Sequence, residues 1–234
     1  MFIVLFHAAV VALDGFSLWY DQMYVDIPLP AIKYVEMPFK GRLMFLTIWC
    51  LILQTVYFSL SLLNDLIGTN EKSPRKTPII RRVKDIVFTL AFTLALYVAT
   101  SFWGLYYYDK DLIFPDHIEK HFPVWLNHAM HTFVAAFVLI ELLVTRRSYP
   151  SRKVGLAAVL LVNVCYITWM HILHDRYGAW VYPVFEVLNL PMRVAFLSCA
   201  VLAGFSFYLL GEKLDKLVSP APAKQSHETK KKKR

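Results

Sequence analysis

The sequence is short of charged residues, and this shortage excludes most classes of soluble protein. Charged side chains make up 18% of the 234 residues, against roughly 25% in typical soluble domains, whereas hydrophobic residues make up 57%. A soluble globule of this length would lack the polar residues that its surface requires. The composition therefore excludes an ordinary cytosolic enzyme and a disordered chain, and it favours a membrane protein.

Paired cysteines and standard catalytic motifs are also missing. The three cysteines, Cys50, Cys165 and Cys199, lie inside apolar runs and form no C-x-x-C motif. We interpret them as small buried hydrophobes, which excludes a disulfide-rich secreted module. The sequence has no G-x-S-x-G nucleophile elbow, no H-E-x-x-H motif and no Walker loop. Any chemistry must therefore come from residues outside these motifs.

Six apolar runs are long enough to cross a membrane as helices. A helical span needs about 20 predominantly apolar residues, and the runs are continuous rather than alternating as barrel strands are. The predicted spans are residues 1–19, 43–63, 86–107, 124–144, 154–171 and 194–210. The first run lacks the basic n-region of a signal peptide, so we expect it to be retained. The sequence predicts an all-α membrane protein, a bundle of six transmembrane helices over residues 1–217.

Lysine and arginine are unevenly distributed between the predicted loops. Of 25 such residues, 18 lie in the second-to-third loop, the fourth-to-fifth loop and the C-terminal segment, and seven lie in the other loops. The positive-inside rule therefore predicts that both termini are cytoplasmic. The formal net charge of +8 is interpreted as this orientation signal rather than as a nucleic-acid-binding surface.

The last residues, 218–234, form a basic segment that we expect to be a disordered cytoplasmic tail. Lys231 and Lys232 lie four and three residues from the end, which is the spacing of a di-lysine retrieval signal for the endoplasmic reticulum. The alternative is a polybasic segment attracted to anionic lipid, which is compatible with the plasma membrane.

Six polar side chains from four predicted spans fall in the lumenal half of the bilayer under this topology. They are Asp14, Thr47, His128, His131, His171 and His174. Polar groups at membrane depth are expensive and tend to be functional. His128 and His131 are three residues apart, so we expect them to share a helix face with Thr132. The convergence predicts a buried site.

Several of these residues also have plainer interpretations. A threonine in a membrane helix commonly donates to the carbonyl four residues earlier, and Asp14 could pair with a histidine or cap the interface. Glu141 is expected to extend to the surface beside Arg146 and Arg147. The two H-x-x-H pairs could bind a transition metal, but the sequence shows no convincing further ligand, so we expect no metal and no cofactor.

At these residues the sequence resembles the androgen-induced gene family, which includes the androgen-dependent TFPI-regulating proteins. Residues 125–132, with the sequence W-L-N-H-A-M-H-T, match the family's signature. Further matches are residues 45–47, 102–103, 111–113 with Pro115, 180–183 and 208–212. Ala129 and the basic C-terminal end are closer to the TFPI-regulating branch.

The resemblance implies a polytopic membrane hydrolase of fatty acid esters of hydroxy fatty acids, with a threonine nucleophile and a histidine base. At the matching positions these residues are Thr47 and His131. Asn127 and His128 are candidate oxyanion donors by residue type. His174 matches part of the family, and Asp14 joins it as a candidate supporting residue.

Three hypotheses for function remain open at this stage. The first is a threonine/histidine esterase whose lipid ester substrate enters laterally from the bilayer. The second is a non-catalytic membrane regulator that binds lipid in the same pocket, and the third is a lipid enzyme with a histidine-ligated metal. In each case the partner is the membrane and its lipids, not nucleic acid.

Overall fold

A computed structural model describes residues 1–28, 30, 37–71 and 76–218 of the chain. These residues form helices joined by short connections, with no strand among them. The helices are α1 (Phe2–Tyr24), α2 (Leu46–Ile67), α3 (Ile79–Asp109), α4 (Asp116–Glu119), α5 (Val124–His128), α6 (Val134–Val144), α7 (Arg152–Tyr177), α8 (Val184–Val187) and α9 (Leu190–Val218). The all-α prediction is confirmed. The proposed cytoplasmic tail lies outside the described residues, apart from the last residue of α9.

Within the described residues, six helical segments are long and apolar enough to span a membrane, in agreement with the predicted number of spans. Five of them are α1, α2, α3, α7 and α9, and the sixth is the continuous segment Val124–Val144, which contains α5 and α6. Several helices are longer than predicted. The helix α3 begins at Ile79 rather than at residue 86, and its added turns bury Arg81, which pairs with Asp85 at 3.0 Å. Hydropathy marks the apolar part of a helix, whereas paired charges allow the helix to continue beyond it.

The sixth spanning segment is not a uniform α-helix. A π-helical turn, Ala129–Phe133, lies between α5 and α6 and contains His131. A π turn closes its hydrogen bonds one residue later than an α-helix, so it rotates the chain less per residue. Such turns commonly occur at functional sites.

The central helix of the bundle is α3, which packs against α2, α6, α7 and α9. Aromatic side chains from α2 and α3 form the middle of the main core, and Tyr57, Phe58, Phe88 and Phe92 are fully buried there. A smaller cluster around Trp180 covers the end of α7, where Gly178 takes the left-handed conformation that commonly ends a helix. Two core clusters therefore fix the helices that carry the site.

We call the two ends of the helix bundle the Arg42 end and the His7 end. At the Arg42 end α1 finishes and α2 begins, and at the His7 end α1 begins and α2 finishes. The connection into α2 is a short 3-10 segment, Pro38–Met44. Phe39 and Lys40 have positive φ angles of 55° and 50°, which is a strained conformation for residues with a Cβ. The Arg42 side chain anchors this segment to α1 by hydrogen bonds to Asp21.

The His7 end contains a buried polar network that links α1, α2 and α6. His7 lies between two carboxylates, with Nδ1 2.7 Å from Asp65 Oδ2 and Nε2 2.9 Å from Glu141 Oε2. The other Glu141 oxygen, Oε1, accepts from the Tyr57 hydroxyl at 2.5 Å and from the Thr145 hydroxyl at 2.6 Å. Three helices are therefore joined through one carboxylate.

This network corrects the prediction for Glu141. The side chain is fully buried rather than extended to the surface, and Arg147 donates to the main-chain carbonyl of Glu141 at 2.6 Å. The prediction was wrong because α6 ends at Val144 and the chain turns back, so that Arg147 closes the last carbonyls of the helix. The partner of the carboxylate, His7, is 134 residues away in the sequence.

Candidate active site

The first turn of α2 and the π turn bring two predicted site residues into contact. The Thr47 hydroxyl oxygen, Oγ1, lies 3.2 Å from Nε2 of His131. The alternative partner of Thr47 would be the carbonyl of Leu43, four residues earlier, but that oxygen accepts from the indole N–H groups of Trp49 and Trp169. The hydroxyl is therefore directed at the imidazole and not at its own backbone.

Asn127 determines which nitrogen of His131 carries the proton. His131 Nδ1 lies 3.0 Å from the main-chain oxygen of Asn127 and 2.7 Å from its side-chain oxygen. A carbonyl oxygen only accepts hydrogen bonds, so Nδ1 must be the protonated nitrogen of the neutral ring. Nε2 then presents its lone pair to the Thr47 hydroxyl, which is the arrangement that a general base requires.

The plane of the imidazole is fixed by α3. The Phe102 ring stacks on His131 with a centroid distance of 3.6 Å and an interplanar angle of 10°. His131 is only 6% exposed, so the ring has little room to rotate. Phe102 covers one face of the imidazole ring, and Nδ1 is hydrogen-bonded to Asn127. Nε2 is therefore the ring nitrogen that faces Thr47.

Two tyrosines hold the start of α2 in place. The Leu46 N–H is 3.1 Å from the Tyr166 hydroxyl and 3.0 Å from the Tyr182 hydroxyl, and the two phenol oxygens are 3.0 Å apart. The Tyr166 hydroxyl in turn lies 3.0 Å from the main-chain oxygen of Met44, to which it can donate. None of the hydrogen bonds found within the described residues uses the N–H of Thr47 itself.

The structure does not bring His128 to this pair. His128 Nδ1 lies 3.0 Å from the Thr132 hydroxyl, which also accepts from the Trp103 indole at 3.1 Å, and the His128 ring stacks on Trp103. His128 and Thr132 therefore meet as expected, but on a separate side of α3 from the contact with Thr47. The π turn explains why His128 and His131 do not share a face. A π turn has more residues per turn than an α-helix, so side chains three residues apart no longer point in the same direction.

Among the described residues, neither of the other two candidate supporting residues forms a hydrogen bond with Thr47 or His131. His174 stacks on Trp180 with a centroid distance of 3.9 Å, inside the smaller core cluster. Asp14 is 1% exposed on α1, and its Oδ2 has no hydrogen-bond partner within the described part of the chain. Over that same part, no three His, Cys, Asp or Glu side chains come together as a metal site. The two H-x-x-H pairs therefore do not form one four-imidazole cluster.

A cavity of about 180 Å³ opens beside Thr47 and His131. Its wall is almost entirely apolar and comes mainly from α3, α7 and α9, with the first turns of α2 closing one side. At the Arg42 end the wall becomes polar, where Asp21, Arg42 and Tyr182 line it. The Thr47–His131 contact thus lies where the polar end of the cavity meets its apolar part, an arrangement that suits an amphiphilic ligand.

Sequence reasoning missed the ion pair at this polar end of the cavity. Arg42 Nε lies 2.9 Å from Asp21 Oδ2, and both side chains are buried although each lies just outside a predicted span. The available signal was a pair of opposite charges flanking two neighbouring spans at the same end. Tyr166 was also missed, because one tyrosine within an apolar run is not distinguishable from a packing residue.

Comparisons with known proteins agree with the resemblance in the sequence. The family described as FAR-17a/AIG1-like protein matches residues 2–216. The androgen-dependent TFPI-regulating protein of Mesocricetus auratus is 37% identical over 211 residues, which cover 86% of this chain and 89% of the relative. The androgen-induced gene 1 protein of Homo sapiens is 34% identical over 197 residues, covering 80% and 83%.

A more distant relative, a membrane protein of Schizosaccharomyces pombe, is 22% identical over 131 residues, covering 55% of this chain and 58% of the relative. No solved structure matches the chain. The six apolar helices and this relative support a multi-pass membrane protein. With the family match spanning almost all of the described helices, the chain belongs to the FAR-17a/AIG1 family.

Proposed function

We propose that this protein is an intramembrane esterase that hydrolyses fatty acid esters of hydroxy fatty acids. Thr47 is the nucleophile and His131 is the general base. The observation that carries the proposal is the 3.2 Å contact between Thr47 Oγ1 and His131 Nε2, in a tautomer fixed by Asn127. The contact lies on the wall of an apolar cavity, so a lipid ester can reach it.

The first half of the reaction transfers the acyl group to Thr47. His131 Nε2 accepts the hydroxyl proton as Oγ1 attacks the ester carbonyl carbon, and the carbonyl electrons move to its oxygen. The tetrahedral intermediate then expels the alkoxide of the hydroxy fatty acid. The proton held at Nε2 passes to this leaving oxygen, and an acyl-threonine remains.

The second half regenerates the enzyme. His131 Nε2 accepts a proton from water as the water oxygen attacks the acyl carbonyl, and the new intermediate releases Thr47 Oγ1. The proton returns from Nε2 to Thr47, and the fatty acid leaves. One water is consumed for each ester, and the products are one fatty acid and one hydroxy fatty acid.

The oxyanion of each intermediate needs a hydrogen-bond donor close to the nucleophile. The main-chain N–H of Thr47 is our candidate donor, because it lies in the first turn of α2 beside the Leu46 N–H, which is already bonded to the two tyrosines. Helix N-termini favour negative charge. Asn127 and His128 contact His131 and Thr132 respectively, so Asn127 is better described as the residue that positions His131.

We further propose that both termini are cytoplasmic, as the Lys and Arg distribution predicts. The Arg42 end and the reactive pair then lie in the lumenal half of the membrane. Under this topology the C-terminal lysines face the cytosol, where a di-lysine signal would be read, and the expected location is the endoplasmic reticulum. Lys231 and Lys232 lie outside the described residues.

Covalent labelling tests the nucleophile. We expect a fluorophosphonate probe to label the full-length protein in membranes, and peptide mapping to place the adduct on Thr47. The Thr47→Val variant keeps the shape of the side chain but loses the hydroxyl, so labelling should disappear. The matched control is Thr132→Val, which removes a hydroxyl bonded to His128 instead. Labelling that survives in Thr47→Val and disappears in Thr132→Val would move the nucleophile to Thr132.

A second candidate function is a lipid-binding regulator without catalysis. It is favoured by the cavity itself, whose apolar wall would hold a lipid whether or not Thr47 reacts. The two candidates differ in turnover. A purified protein that binds fatty acid esters stoichiometrically, but releases no fatty acid and takes no probe, would support the regulator.

A further inference from the structure

The cavity is a slot that continues from the reactive pair along the bundle. On α3 its lining runs from Phe102, beside His131, to Leu90. At about 1.5 Å per residue this length is roughly 18 Å. The lining positions on α3, α7 and α9 recur every three or four residues, so each helix presents one continuous face to the slot.

The deep part of the slot offers nothing for a charged ligand. Its polar side chains, Thr93 and Asn163, donate to carbonyls of their own helices, Thr93 to Thr89 at 2.7 Å and Asn163 to Val159 at 2.9 Å. Tyr97 and Ser101 line the cavity nearer to Phe102 on α3, and the other side chains of the deep part, Leu90, Leu94, Val159 and Val162, are apolar. An apolar surface of this kind matches a hydrocarbon chain as its ligand.

The slot ends between α7 and α9 at the level of Gly204. Gly204 is the last lining residue of α9, and a Cβ atom on it would lie 3.2 Å from Asn163 Nδ2 and 3.5 Å from Val159 Cγ1. One turn further, Tyr208 is fully buried and its ring abuts Gly155, so no space remains there. Gly204 therefore lets α9 pack closely on α7 at the end of the slot, and Tyr208 closes the next turn.

We propose that the Gly204–Tyr208 face of α9 limits the length of the acyl chain that the slot accepts. This inference rests on the proposed function for the identity of the ligand as an acyl chain attached at Thr47. The ester carbonyl lies at the reactive pair, and the chain extends from it towards the His7 end. The depth between His131 and Tyr208 then sets the longest chain that fits.

The proposal predicts opposite effects for two substitutions. Gly204→Leu places a side chain against Asn163 and Val159 at the end of the slot, so the longest accepted chain becomes shorter. Each methylene that no longer fits should reduce kcat/KM about fourfold, since a buried methylene is worth about 0.8 kcal/mol. Tyr208→Ala opens the next layer and should raise turnover of long chains relative to short ones. Gly204→Ala is a milder variant that should shift the preference in the same direction as Gly204→Leu.

The experiment measures hydrolysis of p-nitrophenyl butyrate, octanoate, dodecanoate and palmitate by the full chain in nanodiscs. The matched control is Gly104→Leu, because Gly104 is exposed on α3, has open space around it and does not line the slot. We expect Gly204→Leu to lose palmitate turnover at least tenfold relative to butyrate turnover, and Gly104→Leu to keep the wild-type profile. An unchanged profile in Gly204→Leu and Tyr208→Ala would overturn the inference, as would an equal shift in Gly104→Leu.

A binding measurement separates this inference from the proposed function. In the Thr47→Val background, fatty acids of the same four lengths compete with the fluorescent probe anthroyloxy stearate. A length-dependent competition that shifts with Gly204→Leu supports the slot even if the wild-type protein hydrolyses no ester. Competition that is independent of length overturns the slot even if hydrolysis by Thr47 is established.

Discussion

The Thr47 hydroxyl and the His131 imidazole are 84 residues apart in sequence and 3.2 Å apart in the structure. The contact between these two side chains is not the only interaction that holds them in place. Asn127 and Phe102 fix the imidazole, and the hydroxyls of Tyr166 and Tyr182 hold the first turn of α2. Both side chains are therefore held in place without a ligand, and this preorganisation is what the proposed threonine nucleophile requires.

Loss of either member of the pair should abolish ester hydrolysis. We expect Thr47→Val and His131→Ala each to reduce kcat about a thousandfold or more, as removal of a nucleophile or its base does in other hydrolases. The double variant should be no slower than either single variant, because the two residues act as one unit. Thr47→Ser, which keeps the hydroxyl, should retain measurable activity. Normal turnover by a folded Thr47→Val protein would refute the threonine mechanism.

Asn127 should affect the rate more than substrate binding. Replacing it with alanine removes the 2.7 Å bond to Nδ1 but leaves the main-chain bond at 3.0 Å, so the tautomer persists while the ring loses orientation. We expect kcat to fall about tenfold, equivalent to 1.4 kcal/mol, with KM nearly unchanged. His128→Phe is the comparison, since His128 bonds Thr132 and should leave kcat within about twofold. A larger loss in His128→Phe than in Asn127→Ala would contradict these roles.

The His7 network should govern stability rather than catalysis. Glu141→Ala removes the buried partner of His7 Nε2 and of the Tyr57 hydroxyl, although Asp65 still contacts His7 Nδ1, and we expect the free energy of unfolding to fall by about 3 kcal/mol. The double variant His7→Ala/Glu141→Ala should be less destabilised than the sum of the two single variants. Thermal unfolding in detergent measures both effects. Additive losses would show that the two side chains do not interact.

Hydrolysis should not require a metal ion. Within the described residues His128, His171 and His174 contact Thr132, the Ile167 carbonyl and Trp180, and no third ligand joins any pair. We expect purified protein to keep its activity after treatment with EDTA. Stoichiometric zinc or iron, with activity that is lost on chelation and restored by the metal, would revive the metal-enzyme hypothesis.

The C-terminal lysines should determine location and not activity. Replacing Lys231 and Lys232 with serine removes a di-lysine signal, so the protein should leave the endoplasmic reticulum while its esterase activity in isolated membranes stays unchanged. Under the polybasic alternative the loss of two charges would weaken lipid attraction by only about 2 kcal/mol, and six spans would keep the location unchanged. Fluorescence microscopy separates the two. A tail protected from protease in intact microsomes would reverse the proposed topology.

The sequence by itself determined the fold class and the number of apolar helices, and it led to the prediction of Thr47 and His131 as the site pair. Spans are recognisable because the bilayer requires about 20 apolar residues in succession, whatever the neighbouring helices are. Depth placed Thr47 and His131 among six polar side chains in the lumenal half, and the resemblance to the family singled out these two. Whether a segment can span the membrane depends only on its own residues, so the sequence is sufficient to predict it.

Only the tertiary structure decided how the polar groups pair. The prediction for Glu141 considered nearby arginines, whereas its partner His7 lies at the other end of the sequence and meets it because α1 and α6 pack together. His128 was grouped with His131 on the assumption of α-helical spacing, and the π turn separates them. The slot between α3, α7 and α9 likewise exists only after packing. Pairing and cavity shape depend on which helices become neighbours, and hydropathy along the chain carries no information about that choice.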